Sequence, residues 1–485
     1  MMVEPITRRA VLGWGAVGAA GVLVGGRGLA RELGAGVGGP GPGDGSPSTW
    51  PSELRSSAGV LRVELEAAPR SVEVAGQQVA MLGYSDAVIG PTLRLVPGDR
   101  LEVRLRNSLD EPTNLHVHGL HVSPEGNGDN PFVSVSPGET FDYEYQLPAD
   151  HPTGTFWYHP HLHGRVADQI FAGLYGAIVV EEASPIPVAR ERILIVSDVS
   201  FDDGSVRVAS AQERMMGREG DLLLINGQVS PVLEGRPGER ERWRVVNACT
   251  SRFIRLAVGD HQLQLLGLDQ GRTARTEDVD ELVLAPGNRA DLAVTLRAGT
   301  HEIRTLGYDR GTAMMGMMGS STTSGPALLA TLTVTGDAVT AAPPVPDGPQ
   351  PHDLRQDTVA RARELTLAMG MGMGMGQMMS FTIDGLEFDH HRTDQQVRLG
   401  DVEEWTIRNT STMDHPFHLH VWPMQVVEAA GRSGTEPIWR DVVNVPAEGS
   451  VVVRIRFDDF AGRTVYHCHI LDHEDLGMMG VIEVS

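Results

Sequence analysis

Short stretches of alternating apolar and polar residues, separated by turns rich in Gly and Pro, make up most of the sequence after residue 51. Leu61–Leu65, Arg100–Leu105 and Val451–Phe457 show this pattern. Because successive side chains of a β-strand point to opposite faces, such alternation predicts strands with one buried face. No long stretch of the sequence shows the periodicity of an amphipathic helix. The chain is therefore predicted to be all-β and built of antiparallel sandwiches.

One strand segment occurs three times. A turn glycine followed by an acid begins it, and an asparagine nine residues after the glycine closes its strand. The copies run from Gly98 to Asn107, from Gly238 to Asn247 and from Gly400 to Asn409. Spacings of 140 and 162 residues between the copies predict three sandwich domains of one type. We place these domains at residues 52–184, 185–340 and 355–485.

The two outer copies carry histidines where the middle copy carries apolar residues. Four His-X-His pairs result, at His116/His118, His159/His161, His418/His420 and His467/His469. Residues two apart in a strand share a face, so each pair offers two imidazoles in one direction. We expect the pairs to meet in one metal site shared by the first and third domains. The middle domain has Leu256 and Val258 at the equivalent positions and is predicted to be a spacer without copper ligands.

The other candidate ligands identify the metal. Cys468 lies between His467 and His469, and His473 and Met478 follow it at spacings of five and ten residues. With His415, they form the set of a thiolate, two imidazoles and a thioether that is typical of blue copper. A structural zinc site would need four strong ligands. A disulfide with Cys249, the second of the two cysteines, is the other use open to Cys468, and the His-Cys-His context favours copper.

On these motifs the sequence resembles the multicopper oxidase family, in particular the three-domain bacterial laccases and cuprous oxidases. The resemblance covers essentially the whole chain after the first 30 residues. It implies an all-β fold of three consecutive cupredoxin-like Greek-key β-sandwich domains. It also implies four copper ions: one type 1, one type 2 and a type 3 pair.

The resemblance also assigns roles to individual residues. The type 1 ligands would be His415, Cys468, His473 and Met478, the type 2 ligands His116 and His418, and the type 3 ligands His118, His159, His161, His420, His467 and His469. Reduction of O2 to water consumes protons, so carboxylates are expected near the copper ions. Glu474 and Asp129 match the family's acids, although Asn127 competes with Asp129 for its alignment. His473 would be the ligand through which electrons enter.

The implied function is a laccase-like oxidase that takes single electrons from a phenol or an aromatic amine and passes them to O2. The alternative is a cuprous oxidase for copper tolerance, because soft thioethers favour Cu(I). Two Met-rich clusters, Met314 to Met318 and Met369 to Met379, and Met413 would recruit that ion. A flexible loop of apolar filler is the other interpretation of the clusters. Ser411 departs from the cuprous oxidases, which have an acid there.

A different class of function is a copper-binding or scaffold protein that kept the fold and lost catalysis. Such a protein would be expected to have lost ligands, whereas this sequence retains ten candidate histidines and the cysteine. A copper nitrite reductase is excluded because it lacks the paired third and fourth motifs.

The net charge and the N-terminal segment limit which partners and which cellular location are expected. The net charge of −23 argues against nucleic acid or an anionic membrane as a partner. Arg8 and Arg9 precede a short apolar run, which predicts a twin-arginine signal peptide over residues 1–30, followed by a flexible linker over residues 31–51. A membrane anchor is the alternative interpretation of this run. The protein is expected to be exported to the extracellular space or the cell envelope, with O2 and a small reducing substrate as its partners.

Overall fold

A computed structural model describes residues 51–85, 88–311, 323–370, 379–429 and 431–485. The predicted signal peptide lies outside the described residues, and so do all the methionines of the first Met-rich cluster. Of the second cluster, Met369 and Met379 are described. In the described part of the chain no helix is both long and apolar enough to cross a membrane.

Domain 1 packs a five-stranded sheet against a six-stranded one. The five-stranded sheet has the order β1-β4-β9-β8-β6, and the other has the order β11-β12-β3-β2-β5-β7. The elements are β1 Glu53–Arg55, β2 Val60–Val74, β3 Gln77–Gly83, β4 Thr92–Leu95, β5 Arg100–Asn107, β6 His116–His118, β7 Thr140–Gln146, β8 Gly154–His159, α1 Val166–Phe171 and β9 Gly176–Val180. The hairpin of β11 and β12 follows domain 1 in the chain and extends its sheet.

Domain 2 has a seven-stranded sheet of order β14-β13-β10-β16-β21-β18-β19 and a five-stranded sheet of order β15-β25-β22-β17-β20. The elements of this part of the chain are β10 Arg190–Val199, β11 Phe201–Asp202, β12 Ser205–Val206, α2 Ala211–Met216, β13 Leu222–Ile225, β14 Gln228–Val229, β15 Val232–Gly235, β16 Arg240–Asn247, β17 Ile254–Val258, β18 Leu263–Leu268, β19 Arg272–Val279, β20 Leu282–Leu284, β21 Arg289–Thr295, β22 Gly299–Leu306, β23 Tyr308–Asp309, β24 Thr323–Ser324 and β25 Ala327–Val334.

Domain 3 repeats the two-sheet arrangement, with the orders β27-β26-β29-β34-β31-β32 and β28-β36-β35-β30-β33. Its elements are a 3-10 turn at Leu354–Gln356, β26 Arg361–Gly370, β27 Ser380–Ile383, β28 Gln395–Val397, β29 Val402–Asn409, β30 His415–Leu419, β31 Met424–Ala429, β32 Arg432–Arg440, β33 Val442–Val445, β34 Ser450–Arg456, β35 Gly462–Cys468, α3 Leu471–Asp475 and β36 Met479–Val484. Each domain has its own apolar core between its sheets. The prediction of an all-β fold of three cupredoxin-like domains is confirmed.

The repeated segment has the same structural role in all three domains. Its glycine adopts a left-handed backbone, with φ of 90°, 83° and 92° in the successive copies, which a residue with a Cβ adopts only under strain. Its asparagine is buried, and the side-chain amide donates to two backbone carbonyls across the loop that follows. In domain 3 the acceptors of Asn409 include Met413 and Val445. The asparagine therefore ties down the loop that leads into the histidine-bearing strand.

Candidate metal centre

Two pairs of adjacent strands place the four His-X-His pairs. β6 pairs with β8 in domain 1, which puts His116 opposite His159. β30 pairs with β35 in domain 3, which puts His418 opposite His467. All eight rings are at most 2% exposed. The structure thus brings the predicted imidazoles together in the interior.

The rings of domain 1 and domain 3 stack on one another. The centroids of His116 and His420 are 3.8 Å apart, and those of His118 and His418 are 3.9 Å apart. Neither domain holds both members of these pairs. The centre is therefore complete only when domains 1 and 3 are docked.

Hydrogen bonds to the protein fix which ring nitrogens face the interior. The Nδ1–H of His116 donates to Asp129 at 2.9 Å, and the Nδ1–H of His418 donates to the carbonyl of Asp441 at 2.8 Å. We assign these protons from the acceptors, since both partners are oxygens. Within the described residues, the Nε2 atoms of the same two rings have no hydrogen-bond partner although they are buried. Each ring therefore presents a bare lone pair to the centre, as a metal ligand must.

Three further Nε2 atoms converge on one point between the domains. That of His161 lies 3.0 Å from that of His467, and that of His420 lies 3.2 Å from both. Three neutral imidazoles cannot all satisfy one another with the protons available to them. Such an arrangement fits a cation that accepts all three lone pairs.

Burial keeps most of these rings neutral. Loss of solvent lowers the pKa of each of six rings well below its ordinary value, and neighbouring imidazoles lower it further in every case: His116, His118, His161, His418, His420 and His469. The pKa of His159 falls to about 3 for the same first reason. The unprotonated imidazole is the form that binds copper or zinc. The donor set therefore fits copper ions.

A second group of candidate ligands lies in domain 3. The Nδ1 of His415 is 3.3 Å from the Sγ of Cys468, and His473 completes a buried cluster with them. Met478 is fully buried in the same core. Burial raises the pKa of the Cys468 thiol, while the backbone N–H of Ile470 donates to its sulfur at 3.4 Å. A buried thiolate needs a cation beside it, which a copper ion supplies. Neither cysteine is in a disulfide.

The two predicted carboxylates both face the histidines. Glu474 is fully buried, with Oε2 3.1 Å from the Nδ1 of His467 and Oε1 3.4 Å from the Nε2 of His161. The carboxylate of Asp129 accepts the Nδ1–H of His116. Burial raises the pKa of Asp129 to about 8. Asn127, which competed for this alignment, is exposed and donates to a backbone carbonyl. The structure therefore places Asp129, and not Asn127, at the centre.

Sequence reasoning missed a third acid and its partner. The Nε2–H of His118 donates to Asp441 at 3.1 Å, and both carboxylate oxygens of Asp441 accept from the guanidinium of Arg289 at 2.5 Å. Arg289 comes from domain 2, so the middle domain is more than a spacer. Asp441 leaves the Nδ1 of His118 facing the Nε2 of His159 at 3.4 Å. A lone acid directly before a run of apolar residues was the one signal for Asp441 in the sequence.

The same ion pair explains the glycine of the first motif. Gly119 follows His118 and has a φ of 86°. A Cβ at this position would collide with the guanidinium of Arg289 and would lie 2.6 Å from the Oδ2 of Asp441. Close approach of the three domains therefore requires glycine here.

The structure changes the picture of His473. This ring, expected to be the entry point for electrons, is fully buried, and its Nε2–H donates to the carbonyl of Met215 at 3.1 Å. Met215 belongs to helix α2, which comes from the domain 2 part of the chain and covers the ring. Ser411 takes the place of the family's acid. Its Oγ lies 2.8 Å from the Nε2 of His415 and orients that ring.

Comparison with known proteins gives three matches to one sequence family. Profiles described as multicopper oxidase match residues 66–185, 197–314 and 361–485. A multicopper oxidase of Staphylococcus haemolyticus is 27% identical over 416 residues, which is 83% of this chain and 84% of the relative. The cell division protein FtsP of Yersinia pestis is 27% identical over 419 residues, which is 83% and 85% of the two chains.

Solved structures agree with this result. The multicopper oxidase from Campylobacter jejuni, described as a metallo-oxidase, superposes with a TM-score of 0.80 at 28% identity. The match covers 91% of this chain and 95% of the other.

Proposed function

The chain belongs to the multicopper oxidase family, and from that premise we propose that it is a laccase-like oxidase. It would take one electron from each of four donor molecules and reduce one O2, with four protons, to two molecules of water. The observation that carries this proposal is the pair of buried ligand groups joined by His467, Cys468 and His469. Copper bound at these groups would supply the one-electron chemistry. The covalent link makes the path between the groups a few bonds long.

The residues around the copper sites would hold and orient them. His415, Cys468, His473 and Met478 would hold one ion, and the eight His-X-His imidazoles would hold three. Asp129 and Asp441 each accept an N–H from a ligand ring and so hold that ring in place. Glu474 lies 3.1 Å from the Nδ1 of His467 without a hydrogen bond to it. Glu474 is also the buried acid best placed to pass protons to the centre. Some relatives carry the name cell division protein, and the complete ligand set of this chain supports an oxidase over a non-catalytic copper-binding or scaffold protein.

The first prediction concerns metal content. The holo-protein is expected to be blue and to contain close to four copper ions per chain, because the ligands fill one mononuclear and one trinuclear site. Metal analysis and the visible spectrum test this, with O2 uptake in the presence of a donor as the measure of turnover. One copper per chain, or mainly zinc, would sink the proposal. Four coppers without O2 uptake would favour a copper-binding scaffold.

A second candidate for the donor is Cu(I), and the burial of His473 favours it over a phenol. The Nε2–H of His473 is already bonded to the Met215 carbonyl, so an aromatic donor would meet helix α2 before it met the imidazole. Met215, Met369 and Met379 all pack, partly exposed, against the core that contains Cys468. Thioethers bind Cu(I) well and offer little to a phenol. The sulfur atoms of these three methionines are therefore suited to a soft cation.

A substitution series separates the two donors. Changing Met371, Met373, Met375 and Met378 to Leu keeps the length and apolar character of the segment and removes its sulfur. We expect Cu(I) oxidation to fall strongly while phenol oxidation holds, in O2-uptake assays of both donors. Met424→Leu, in the core of domain 3, is the control and should change neither. If the rates of Cu(I) and phenol oxidation change in parallel, the segment is apolar filler and the enzyme is a general laccase.

A further inference from the structure

A strained residue lies directly after one of the candidate copper ligands. Val421 follows His420, is 5% exposed and has a φ of 69°. Within the described part of the chain, it is the only β-branched residue with a φ in the left-handed region. A β-branched side chain is strongly disfavoured in that conformation. Strain of this kind persists only where the surrounding structure imposes it, and it occurs most often at functional sites.

Two hydrogen bonds hold the strained backbone. The N–H of Trp422 donates to the carbonyl of His420 at 2.8 Å and closes a three-residue turn around Val421. The carbonyl of Val421 accepts the Nδ1–H of His121 at 2.9 Å. His121 belongs to domain 1, whereas the turn belongs to domain 3. The conformation of the turn therefore depends on a contact between the two domains.

His121 is itself firmly positioned. Its backbone N–H donates to the Nε2 of His151 at 3.0 Å, and its ring packs edge-on against Phe460 with centroids 4.9 Å apart. The second ring nitrogen lies 3.3 Å from the carboxylate of Asp459. His121 is thus held by its own domain and by domain 3, and its Nδ1–H is a donor in a fixed position for the Val421 carbonyl.

The turn fixes the direction in which the main chain leaves His420. The ring of His420 stacks on His116 of domain 1, and its Nε2 must lie within 3.2 Å of two other ligand nitrogens. We propose that the contact between His121 and Val421 is a positioning device: it uses the docking of domain 1 to set the strained turn and so places His420 in the trinuclear centre. The proposal rests on the proposed function, because it assumes that His420 binds copper. His121 and Val421 are positioning residues in this scheme.

The first test removes the strain. In Val421→Gly the left-handed backbone is no longer strained, but glycine also adopts many other conformations, so the direction of the chain at His420 is less well fixed. The trinuclear ions should therefore be lost to a copper chelator about tenfold more readily, which is the usual effect of removing a group that orients a ligand. Ala75→Gly relieves a left-handed residue in an exposed turn of domain 1 and should leave copper retention unchanged. Equal copper retention in native protein and Val421→Gly would overturn the proposal.

The second test removes the hydrogen bond from His121 to the Val421 carbonyl. His121→Leu should weaken trinuclear copper retention by about tenfold, whereas His121→Asn should restore it, because the asparagine Nδ2–H can occupy the position of the lost Nδ1–H. His301→Leu, which also removes a ring bonded to a backbone carbonyl, is the matched control in domain 2. The blue band of the Cys468 site should persist in every variant. Its absence from the native protein would refute the proposed function, while its persistence with unchanged trinuclear retention in His121→Leu would refute only the positioning role.

Discussion

Replacing Cys468 with serine is expected to abolish the blue colour and the oxidase activity while most of the trinuclear copper remains bound. In the proposed oxidase the Sγ of Cys468 would be the thiolate ligand of the mononuclear site and the first atom of the link to His467 and His469. A serine hydroxyl at this buried position stays protonated and gives neither the colour nor an electron path. His415 and His473 alone would hold copper weakly.

The measurements are the visible spectrum, copper per chain and O2 uptake on the same preparation. Cys249→Ser is the matched control, because Cys249 is equally buried but lies in the domain 2 core, where its sulfur is 3.9 Å from the carbonyl of Val196. This variant should keep the colour and the activity. An unchanged spectrum in Cys468→Ser would count decisively against the thiolate as a ligand.

The fold and most of the centre could be predicted because their signals are local. The alternation of apolar and polar residues sets the strands, and the repeated glycine and asparagine mark the same turn and loop in each domain. Of the four His-X-His pairs, only His116/His118 lies wholly within a strand, and in the other three the second histidine follows the end of its strand. The equivalent positions of the pairs in domains 1 and 3 were therefore the signal for one shared site. Cys468 ends strand β35, His473 lies in helix α3 and Met478 follows that helix, so this part of the predicted ligand set is also local in the sequence.

The features that sequence reasoning missed depend on how the domains dock. Arg289 and Asp441 are 152 residues apart, and their local sequences do not indicate that they pair. The cover of His473 by Met215 and the strain at Val421 also arise only when segments from two domains meet. The position of such contacts is set by the packing of whole sheets, which one sequence does not reveal.

Breaking the buried ion pair of Arg289 and Asp441 is expected to destabilise the protein strongly. Both side chains are almost fully buried, and the guanidinium also donates to the carbonyls of Thr155 and Asp269. Arg289→Met would leave the carboxylate of Asp441 buried beside His118 without its cation. Removing one partner of a buried ion pair costs about 3–5 kcal/mol of folding stability, because the remaining charge is uncompensated.

We expect Arg289→Met to lose about 3–5 kcal/mol in urea unfolding of the copper-free protein and to bind less copper. Adding Asp441→Asn removes the uncompensated charge, so the double variant should recover part of the stability, and the difference measures the coupling between the two side chains. Copper binding should stay low in the double variant, since the carboxylate that orients His118 is gone.

The exposed pair of Arg297 and Asp260 is the control, because surface pairs contribute little. If Arg289→Met unfolds like the native protein, or if the double variant is no more stable than the single one, the ion pair does not support the centre in this way. Recovery of stability without recovery of copper would separate the two roles of Asp441: partner of a buried cation from domain 2, and acceptor that turns the Nδ1 of His118 towards the metal.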